Sequence, residues 1–254
     1  MEAGNRCFDQ NVPEEINRKI VDHISDINLP YTENARKYLL AEGIRKDFIF
    51  KSGSPMKEIL NFHEKDILNS KILNILNVKK NEYFVVSIHR EENVDNKDNF
   101  INIISALDEV QKKFNKKIIF STHPRTRIKI NSLSQKINKN IEFIKPLGFF
   151  DYIFLQLNSF VTLSDSGTLA EESSILKFPS VSIRTSTERP EAFDSGSFVL
   201  GSVNKKDIIN SVEIVSSLKL SSEPEDYNIT NCSDKVVKVI QSYTSVINKE
   251  VWKK

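Results

Sequence analysis

Cysteine and long apolar runs are scarce in this chain of 254 residues. Its two cysteines, Cys7 and Cys232, lie far apart, and the sequence contains no secretory signal pattern. We therefore interpret them as ordinary thiols in the reducing cytoplasm. No apolar stretch approaches the roughly 18 to 20 residues that a membrane-spanning helix needs. The sequence predicts a soluble cytoplasmic protein with no membrane partner.

An excess of charge of either sign is also absent. Lys and Arg together number 36, Asp and Glu together 34, and the formal net charge is +2. Such a balance provides no global basic field that would hold nucleic acid or an anionic membrane. We therefore expect no nucleic-acid partner, and we expect any anionic ligand to be bound by local groups.

From Phe50 onward, short apolar runs alternate with longer helical patterns, which is typical of an α/β fold with a parallel sheet. Helical spacing of apolar residues predicts crossover helices at Asp98–Phe114 and Lys205–Leu218. Ligands of such sheets bind beyond the carboxyl ends of the strands, so the loops at those ends are the candidate sites. The predicted strands are Tyr83–Ile88, Lys117–Ser121, Ile141–Ile144, Phe160–Leu163, Ser180–Ile183 and Ser197–Leu200.

The first fifty residues do not show this alternation. Thr32 is a typical N-cap and Gly43 a typical helix stop, and a last helix with one apolar face is predicted over Ser233–Trp252. Two helices and one strand cannot form a doubly wound domain, so we interpret this region as the end of a domain whose beginning is missing rather than as an appendage. The three elements are the helices Glu15–His23 and Thr32–Glu42 and the strand Ile24–Asn28.

A turn rich in serine and glycine precedes the predicted helix Leu169–Leu176. Free backbone N–H groups and the positive end of the helix dipole would suit a diphosphate there. The spacing of Thr168 and Glu171 equally fits a capping box, and both interpretations remain open. Capping does not need two acids, so Glu171 or Glu172 could instead accept hydrogen bonds from ribose hydroxyls. The turn itself consists of Ser164, Asp165, Ser166, Gly167 and Thr168.

Other candidate groups follow predicted strands. His89 lies directly beyond the first strand and His123 beyond the second. An imidazole there could bind phosphate or transfer protons, or it could be only a structural hydrogen-bonding group. Arg189 lies in a charged loop, where a guanidinium fork would suit phosphate, although a solvated loop is the commoner case.

Glu2 and Glu14 form a further pair of candidates near the start of the chain. Two carboxylates can exchange a proton at carbon and assist a leaving group when their environments set different pKa values. Without other information, they would be surface acids near a helix start.

Taken together, these motifs resemble the non-hydrolysing UDP-N-acetylglucosamine 2-epimerases in order and spacing, over nearly the whole chain. The details of Met1–Asp9 and Ser87–Asn93 most resemble the branch that forms UDP-N-acetyl-L-fucosamine from UDP-2-acetamido-2,6-dideoxy-L-talose. The motifs are Glu2-Ala3-Gly4, Pro13–Arg18, Ser52-Gly53-Ser54, His89–Asn93, His123-Pro124, Asp165–Gly167 with Glu171 and Glu172, and Thr187–Glu191.

The resemblance implies two Rossmann-like domains of the glycosyltransferase-B type. In this chain, it implies a remnant of the N-terminal domain over residues 1–50, a UDP-binding domain over 51–232, and a helix over 233–254 that packs back toward the first domain. The implied reaction inverts C2 of a UDP-2-acetamido sugar by anti elimination and re-addition of UDP, for surface polysaccharide precursors. It needs no redox cofactor and no metal, and the family suggests a homodimer.

The resemblance also implies a role for each candidate residue. The active-site groups are Glu2, Glu14 and His89. The groups that bind the nucleotide are Ser166, Gly167 and Thr168 for the diphosphate, Glu172 for the ribose, Arg189 elsewhere in the nucleotide site, and Leu147 and Tyr152 for the uracil, through backbone and ring stacking respectively.

Family members carry most of a first domain ahead of the position of Met1, including a basic segment and a third catalytic aspartate. A misplaced start, a split gene or a decayed remnant would each explain the difference, and we expect little activity from these 254 residues alone. Two other functions remain open: a UDP-sugar glycosyltransferase, which would leave Glu2 and Glu14 unexplained, and a non-catalytic UDP-binding fragment.

Overall fold

The computed structural model describes residues 1–133, 137–218 and 223–254. These residues form two compact units. The sheet unit contains residues 63–185 and, among those described, 195–218. The terminal unit contains Met1–Phe62, Ser186–Asp194 and Glu223–Lys254. The predicted domain boundaries after residues 50 and 232 stay predictions, and this division differs from them by placing 51–62 and 186–194 with the two ends of the chain.

The sheet unit is built on six parallel strands in the order β3-β2-β1-β4-β5-β6. This confirms the predicted α/β class with a parallel sheet. The predicted bounds of β2 and β3 are reproduced. β1 and β5 end one residue earlier than predicted, β4 is shifted by one residue at both ends, and β6 begins two residues later. The strands are β1 (Tyr83–Ser87), β2 (Lys117–Ser121), β3 (Ile141–Ile144), β4 (Val161–Ser164), β5 (Ser180–Ser182) and β6 (Val199–Leu200).

Helices connect these strands and make up most of the terminal unit. The predicted crossover helices are confirmed to within one residue at each end, as α7 and α12. The helices are α1 (Pro13–Ile24), α2 (Glu33–Ala41), α3 (Met56–Phe62), α4 (Glu64–Leu68), α5 (Ile72–Ile75), α6 (Glu91–Val94), α7 (Lys97–Phe114), α8 (Pro124–Asn131), α9 (Phe149–Leu157), α10 (Leu169–Leu176), α11 (Pro190–Asp194), α12 (Lys205–Ser217) and α13 (Cys232–Glu250).

The direction of strand order changes at β1. This strand pairs with β2 on one side and with β4 on the other, so that Ser87 lies opposite Ser164 at the carboxyl ends of β1 and β4. In open α/β sheets such a switch point leaves a crevice beyond the strand ends, where ligands bind. The loops after β1 and β4 are therefore neighbours.

A continuous apolar core lies beneath that edge. Phe84 and Val86 of β1 are fully buried with Leu107 of α7 and Val212 of α12. Each such side chain contributes roughly 1.5–3 kcal/mol relative to remaining exposed. The strand ends are therefore held by a well-packed layer.

The predicted strand Ile24–Asn28 is wrong. Helix α1 continues through Ile24, and Asn28 forms only an isolated parallel bridge with Ile49. The apolar residues Ile16, Ile20 and Ile24 recur every four positions, and this helical period outweighs the short apolar run.

The predicted cap and stop of α2 are confirmed. The Thr32 side chain accepts a hydrogen bond from the backbone N–H of Ala35 at 3.2 Å, and Gly43 has a φ of 87°. The last helix is confirmed as α13, but its apolar face is only partly covered, because Ile247 is buried while Val237 and Ile240 are more than half exposed.

Within the described part of the chain, no helix is long and apolar enough to cross a membrane. Both cysteines are buried free thiols.

Candidate functional site

The sheet unit gathers polar side chains at the carboxyl ends of β1 and β4, and Asp165 lies at their centre. Its carboxylate is fully shielded from solvent. It accepts hydrogen bonds from the backbone N–H groups of His89 at 3.0 Å and Arg90 at 2.9 Å. The side-chain amide of Asn93 donates to it at 3.1 Å and to the Ile183 carbonyl at 2.9 Å. Asp165 therefore ties the loop after β1 to the loop after β4.

The imidazole of His89 is oriented by the same carboxylate. Its Nδ1 lies 3.1 Å from Asp165 Oδ1, and the side chain is 44% exposed. The hydrogen bond to Asp165 raises the pKa of His89. Burial alone would raise the pKa of Asp165, but its hydrogen bonds and the charge of His89 lower it overall. Since Nδ1 is engaged, Nε2 is the nitrogen available to a ligand or a proton.

The turn after β4 leads into α10 without a side-chain cap. Thr168 is the N-cap residue, yet its side chain caps no backbone N–H of the helix, and its hydroxyl lies 3.0 Å from that of Ser166. The capping-box interpretation of Thr168 and Glu171 is therefore wrong. Ser166 and Gly167 are half-buried. The first-turn N–H groups of α10, which a helix cannot satisfy itself, suit an anion.

Glu172 lies one turn into α10 and is 7% exposed. Gln156 of α9 donates to its Oε2 at 3.0 Å, and Thr168 also hydrogen-bonds to it. Burial raises the pKa of Glu172, against the effect of these two hydrogen bonds. A buried carboxylate with so few donors can accept further hydrogen bonds, as paired ribose hydroxyls would provide.

Leu147 and Tyr152 follow β3, and Tyr152 lies beside the carboxyl ends of β1 and β4. The Tyr152 hydroxyl hydrogen-bonds to Ser87 and Ser164, and burial raises its pKa. Leu147 and Tyr152 both pack, half-buried, against an apolar group that includes Leu155. The ring of Tyr152 is therefore fixed at the ends of β1 and β4.

The terminal unit places Glu2 beside Arg189. A guanidinium nitrogen of Arg189 donates to Glu2 Oε1 at 2.8 Å, and Asn5 Nδ2 donates to the same oxygen at 3.0 Å. Arg189 is 4% exposed, whereas the Glu2 side chain is 46% exposed. Glu2 also has a φ of 61°, a left-handed conformation that costs free energy for a residue other than glycine. Its position is therefore set by the surrounding hydrogen bonds.

Glu14 and Glu15 occupy opposite environments at the start of α1. Glu15 is fully buried and accepts a hydrogen bond from the backbone N–H of Cys7 at 2.9 Å. Glu14 is exposed in the first turn of the helix. Glu15 is thus committed to holding the Cys7 segment, and Glu14 is the acid of the pair that remains accessible.

Two contributors to these arrangements were not among the predicted site residues. Asp165 appears in the sequence only as part of the turn, although its position directly after a buried strand was a usable signal. Gln156 has no sequence signal, because its role depends on how α9 packs beside α10.

Several known proteins are similar to this chain in sequence. The model of the UDP-N-acetylglucosamine 2-epimerase family matches residues 1–241. A UDP-N-acetylglucosamine 2-epimerase of Methanocaldococcus jannaschii is 41% identical over 227 residues, which are 86% of this chain and 62% of the relative. A second, from Methanococcus maripaludis, is 37% identical over 84% of this chain and 60% of its own length. The chain thus spans about 60% of the length of these relatives.

Two solved structures are similar over nearly the whole chain. UDP-N-acetylglucosamine 2-epimerase from Rickettsia bellii has a TM-score of 0.92 and 41% identity, covering all of this chain and 69% of the other. The M. jannaschii enzyme in complex with UDP-GlcNAc and UDP has a TM-score of 0.88 and 36% identity, covering 95% and 68%. This chain belongs to the UDP-N-acetylglucosamine 2-epimerase family.

Proposed function

We propose that this chain binds UDP on the sheet unit and contributes acids from the terminal unit to the inversion of C2 in a UDP-2-acetamido sugar. One observation carries the proposal. At the ends of β1 and β4, an oriented His89, an uncapped helix start and the buried Glu172 lie together. A diphosphate, a ribose and a proton-transferring imidazole need these groups. A family member that is similar in structure was crystallised with UDP-GlcNAc and UDP.

In this proposal the diphosphate binds at Ser166, Gly167 and Thr168, beside the first-turn N–H groups of α10 and two hydroxyls. The ribose hydroxyls donate to Glu172. The uracil is held by the backbone of Leu147 and the ring of Tyr152, whose orientation is fixed by its bonds to β1 and β4. A ring that is already immobilised loses little conformational entropy on stacking.

The chemistry assigned to Glu2 and Glu14 is acid–base catalysis at carbon. A carboxylate removes the proton at C2, the C1–oxygen bond breaks on the opposite face, and UDP leaves from a 2-acetamido glycal. Protonation of C2 on its other face and return of UDP to C1 complete the inversion, with no net oxidation. Glu2 is held by Arg189 and Asn5, and Glu14 is exposed in the first turn of α1.

The finer assignments follow from the sequence motifs. We assign the substrate to the UDP-2-acetamido-2,6-dideoxy-L-talose branch, the product to surface polysaccharide precursors, and the protein to the cytoplasm as a homodimer. We also propose that complete turnover requires a polypeptide equivalent to the part of the relatives that this chain does not cover, since the chain spans about 60% of their length. These residues alone should bind UDP and exchange little C2 hydrogen.

Incubation with a UDP-2-acetamido sugar in deuterated water tests the reaction class. An epimerase incorporates deuterium at C2, whereas a glycosyltransferase and a UDP-binding fragment do not. The assay should compare this chain with a version extended to the length of its relatives, and UDP affinity should be measured for both. Deuterium exchange in the long form only would support both the epimerase reaction and the need for the extension. Full exchange in the short form would contradict the required extension, and sugar transfer without exchange would contradict the epimerase.

A further inference from the structure

The terminal unit contains a pocket that is separate in its residues from the proposed substrate site. Its lining includes none of the groups assigned to UDP or to the sugar. Its volume is about 610 Å³, within the range of small-molecule sites. Five of its lining side chains are basic: Arg36 of α2, Lys46 and Lys51 from the segment between α2 and α3, and Lys235 and Lys238 of α13. No carboxylate of the described residues is among the lining groups.

Most of this positive charge is not compensated locally. Lys51 is paired, because its Nζ lies 2.8 Å from Asp226 Oδ1 and 3.6 Å from Glu33 Oε2. Among the described residues, Lys235 donates to a single backbone carbonyl, that of Ser52, at 3.4 Å. Within the described ranges, Lys46, Lys238 and Arg36 form no ion pair. Like charges around one concavity raise the local potential and attract an anion.

Arg36 provides the most specific signal. Its Nε is shielded from solvent, and among residues 1–133, 137–218 and 223–254 it finds no hydrogen-bond acceptor. A shielded guanidinium donor without an acceptor is costly, and among the described residues the Arg36 side chain forms no hydrogen bond that would compete with an anion in the pocket. The planar guanidinium donates two parallel hydrogen bonds to a phosphate, which the ammonium groups of the lysines cannot do.

Apart from Ser52, the rest of the lining is apolar. Leu29, Ile49 and Val239 contribute to the wall, together with the ring of Phe50. That ring is held edge-on by Tyr243, with 4.6 Å between ring centroids. A free phosphate ion would leave this surface uncovered, whereas an ester with a small apolar or aromatic body would cover it.

We propose that this pocket binds a small phosphate monoester that carries an apolar or aromatic body. Arg36 pairs with the phosphate, Lys46, Lys235 and Lys238 add charge around it, and the wall beside Phe50 receives the body. The site is separate in its residues from the UDP-binding groups, so its existence does not depend on the epimerase assignment.

Phenyl phosphate is a suitable probe, and the full chain should be titrated with it by calorimetry and by amide NMR. Binding should shift amide signals near Arg36, in the segment 49–52 and in the first turns of α13. Inorganic phosphate should bind more weakly, and benzyl alcohol, which has no charge, should not bind measurably. Shifts confined to residues 166–168, or equal affinity for inorganic phosphate and phenyl phosphate, would overturn the proposal.

Three variants test the named groups. Arg36→Gln and Lys238→Gln should each weaken phenyl phosphate binding tenfold or more, whereas Lys37→Gln should leave it unchanged. Lys37 is the matched control, because it is exposed beside Arg36 and does not line the pocket. Lys238 is also exposed, so its replacement should not disturb folding even if that of Arg36 does. Equal affinities for the Lys37 and Lys238 variants would show that the pocket is not the site.

Discussion

The Glu172→Gln substitution separates what this carboxylate does for the fold from what it does for the ligand. Glutamine has nearly the same size, and its amide oxygen can still accept from Gln156 while its NH₂ donates to the Thr168 hydroxyl. The change therefore removes only the negative charge and its capacity for strong hydrogen bonds. No cavity is created.

Folding stability should rise at neutral pH in this variant. Burial raises the pKa of Glu172 in the folded chain above the value of about 4.3 expected when it is unfolded. A raised carboxyl pKa means that the folded chain is relatively favoured below the unfolded pKa and loses that advantage as pH rises through the folded pKa. Gln does not titrate. The variant should therefore melt above the parent at pH 7, and the difference should shrink toward pH 4.

UDP affinity should change in the opposite direction. Two ribose hydroxyls that donate to a buried carboxylate form charge-assisted bonds, which contribute roughly 1.5–3 kcal/mol each, against roughly 0.5–1.5 kcal/mol for neutral ones. After partial compensation by the amide, the loss should be about 1–3 kcal/mol, or roughly 5- to 150-fold in Kd. Calorimetry and thermal melts at several pH values measure both effects.

Glu109→Gln is the matched control, because this carboxylate is exposed on α7. It should neither weaken UDP binding nor raise the melting temperature at pH 7 relative to pH 4. If Glu172→Gln bound UDP like the parent, the ribose assignment would be refuted. If it melted no higher than the parent at pH 7, the explanation from burial would be wrong.

Further substitutions test the other groups. Asp165→Asn should lower the pKa of His89, followed by NMR of its ring protons, and an unchanged titration would contradict the orienting role of Asp165. Arg189→Lys should weaken UDP binding nearly as much as Arg189→Ala, because an ammonium lacks the guanidinium fork; calorimetry giving a parental Kd would exclude this. In the extended protein, Glu14→Gln should abolish C2 exchange with an unchanged Tm, whereas Glu15→Ala should lower the Tm by leaving the Cys7 N–H without its acceptor.

The sheet could be predicted because its signals are local. Strands such as Lys117–Ser121 are short apolar runs, and the helices between them show apolar residues at helical spacing. The sequence predicted the strand and these helices correctly. The last strand was predicted from Ser197 but comprises only Val199–Leu200, at the edge of the sheet, where one neighbour is missing. The strand Ile24–Asn28 was predicted wrongly because Ile24 continues the four-residue spacing of Ile16 and Ile20 and belongs to α1, and Asn28 forms only an isolated bridge.

The site was predictable to the extent that it follows from the positions of strand ends. His89 and the turn at Ser166 follow β1 and β4 directly, and parallel pairing brings those ends together. The capping interpretation of Thr168 could not be excluded from spacing alone, since the spacing is correct and only the orientation of its hydroxyl toward Ser166 decides. Gln156 was out of reach, because contacts between α9 and α10 are set by packing.

The two units hold their functional groups by different physical means, and this has a consequence for function. In the sheet unit, Asp165 is buried and accepts several hydrogen bonds from the neighbouring loop, so the groups that we propose for nucleotide binding are preorganised without a ligand. In the terminal unit, Glu2 adopts a left-handed conformation and is held by Arg189 and Asn5. Strain of this kind persists only where surrounding contacts impose it. Changes that loosen the Glu2 segment without altering Arg189 should therefore reduce proton transfer at C2 before they reduce UDP affinity.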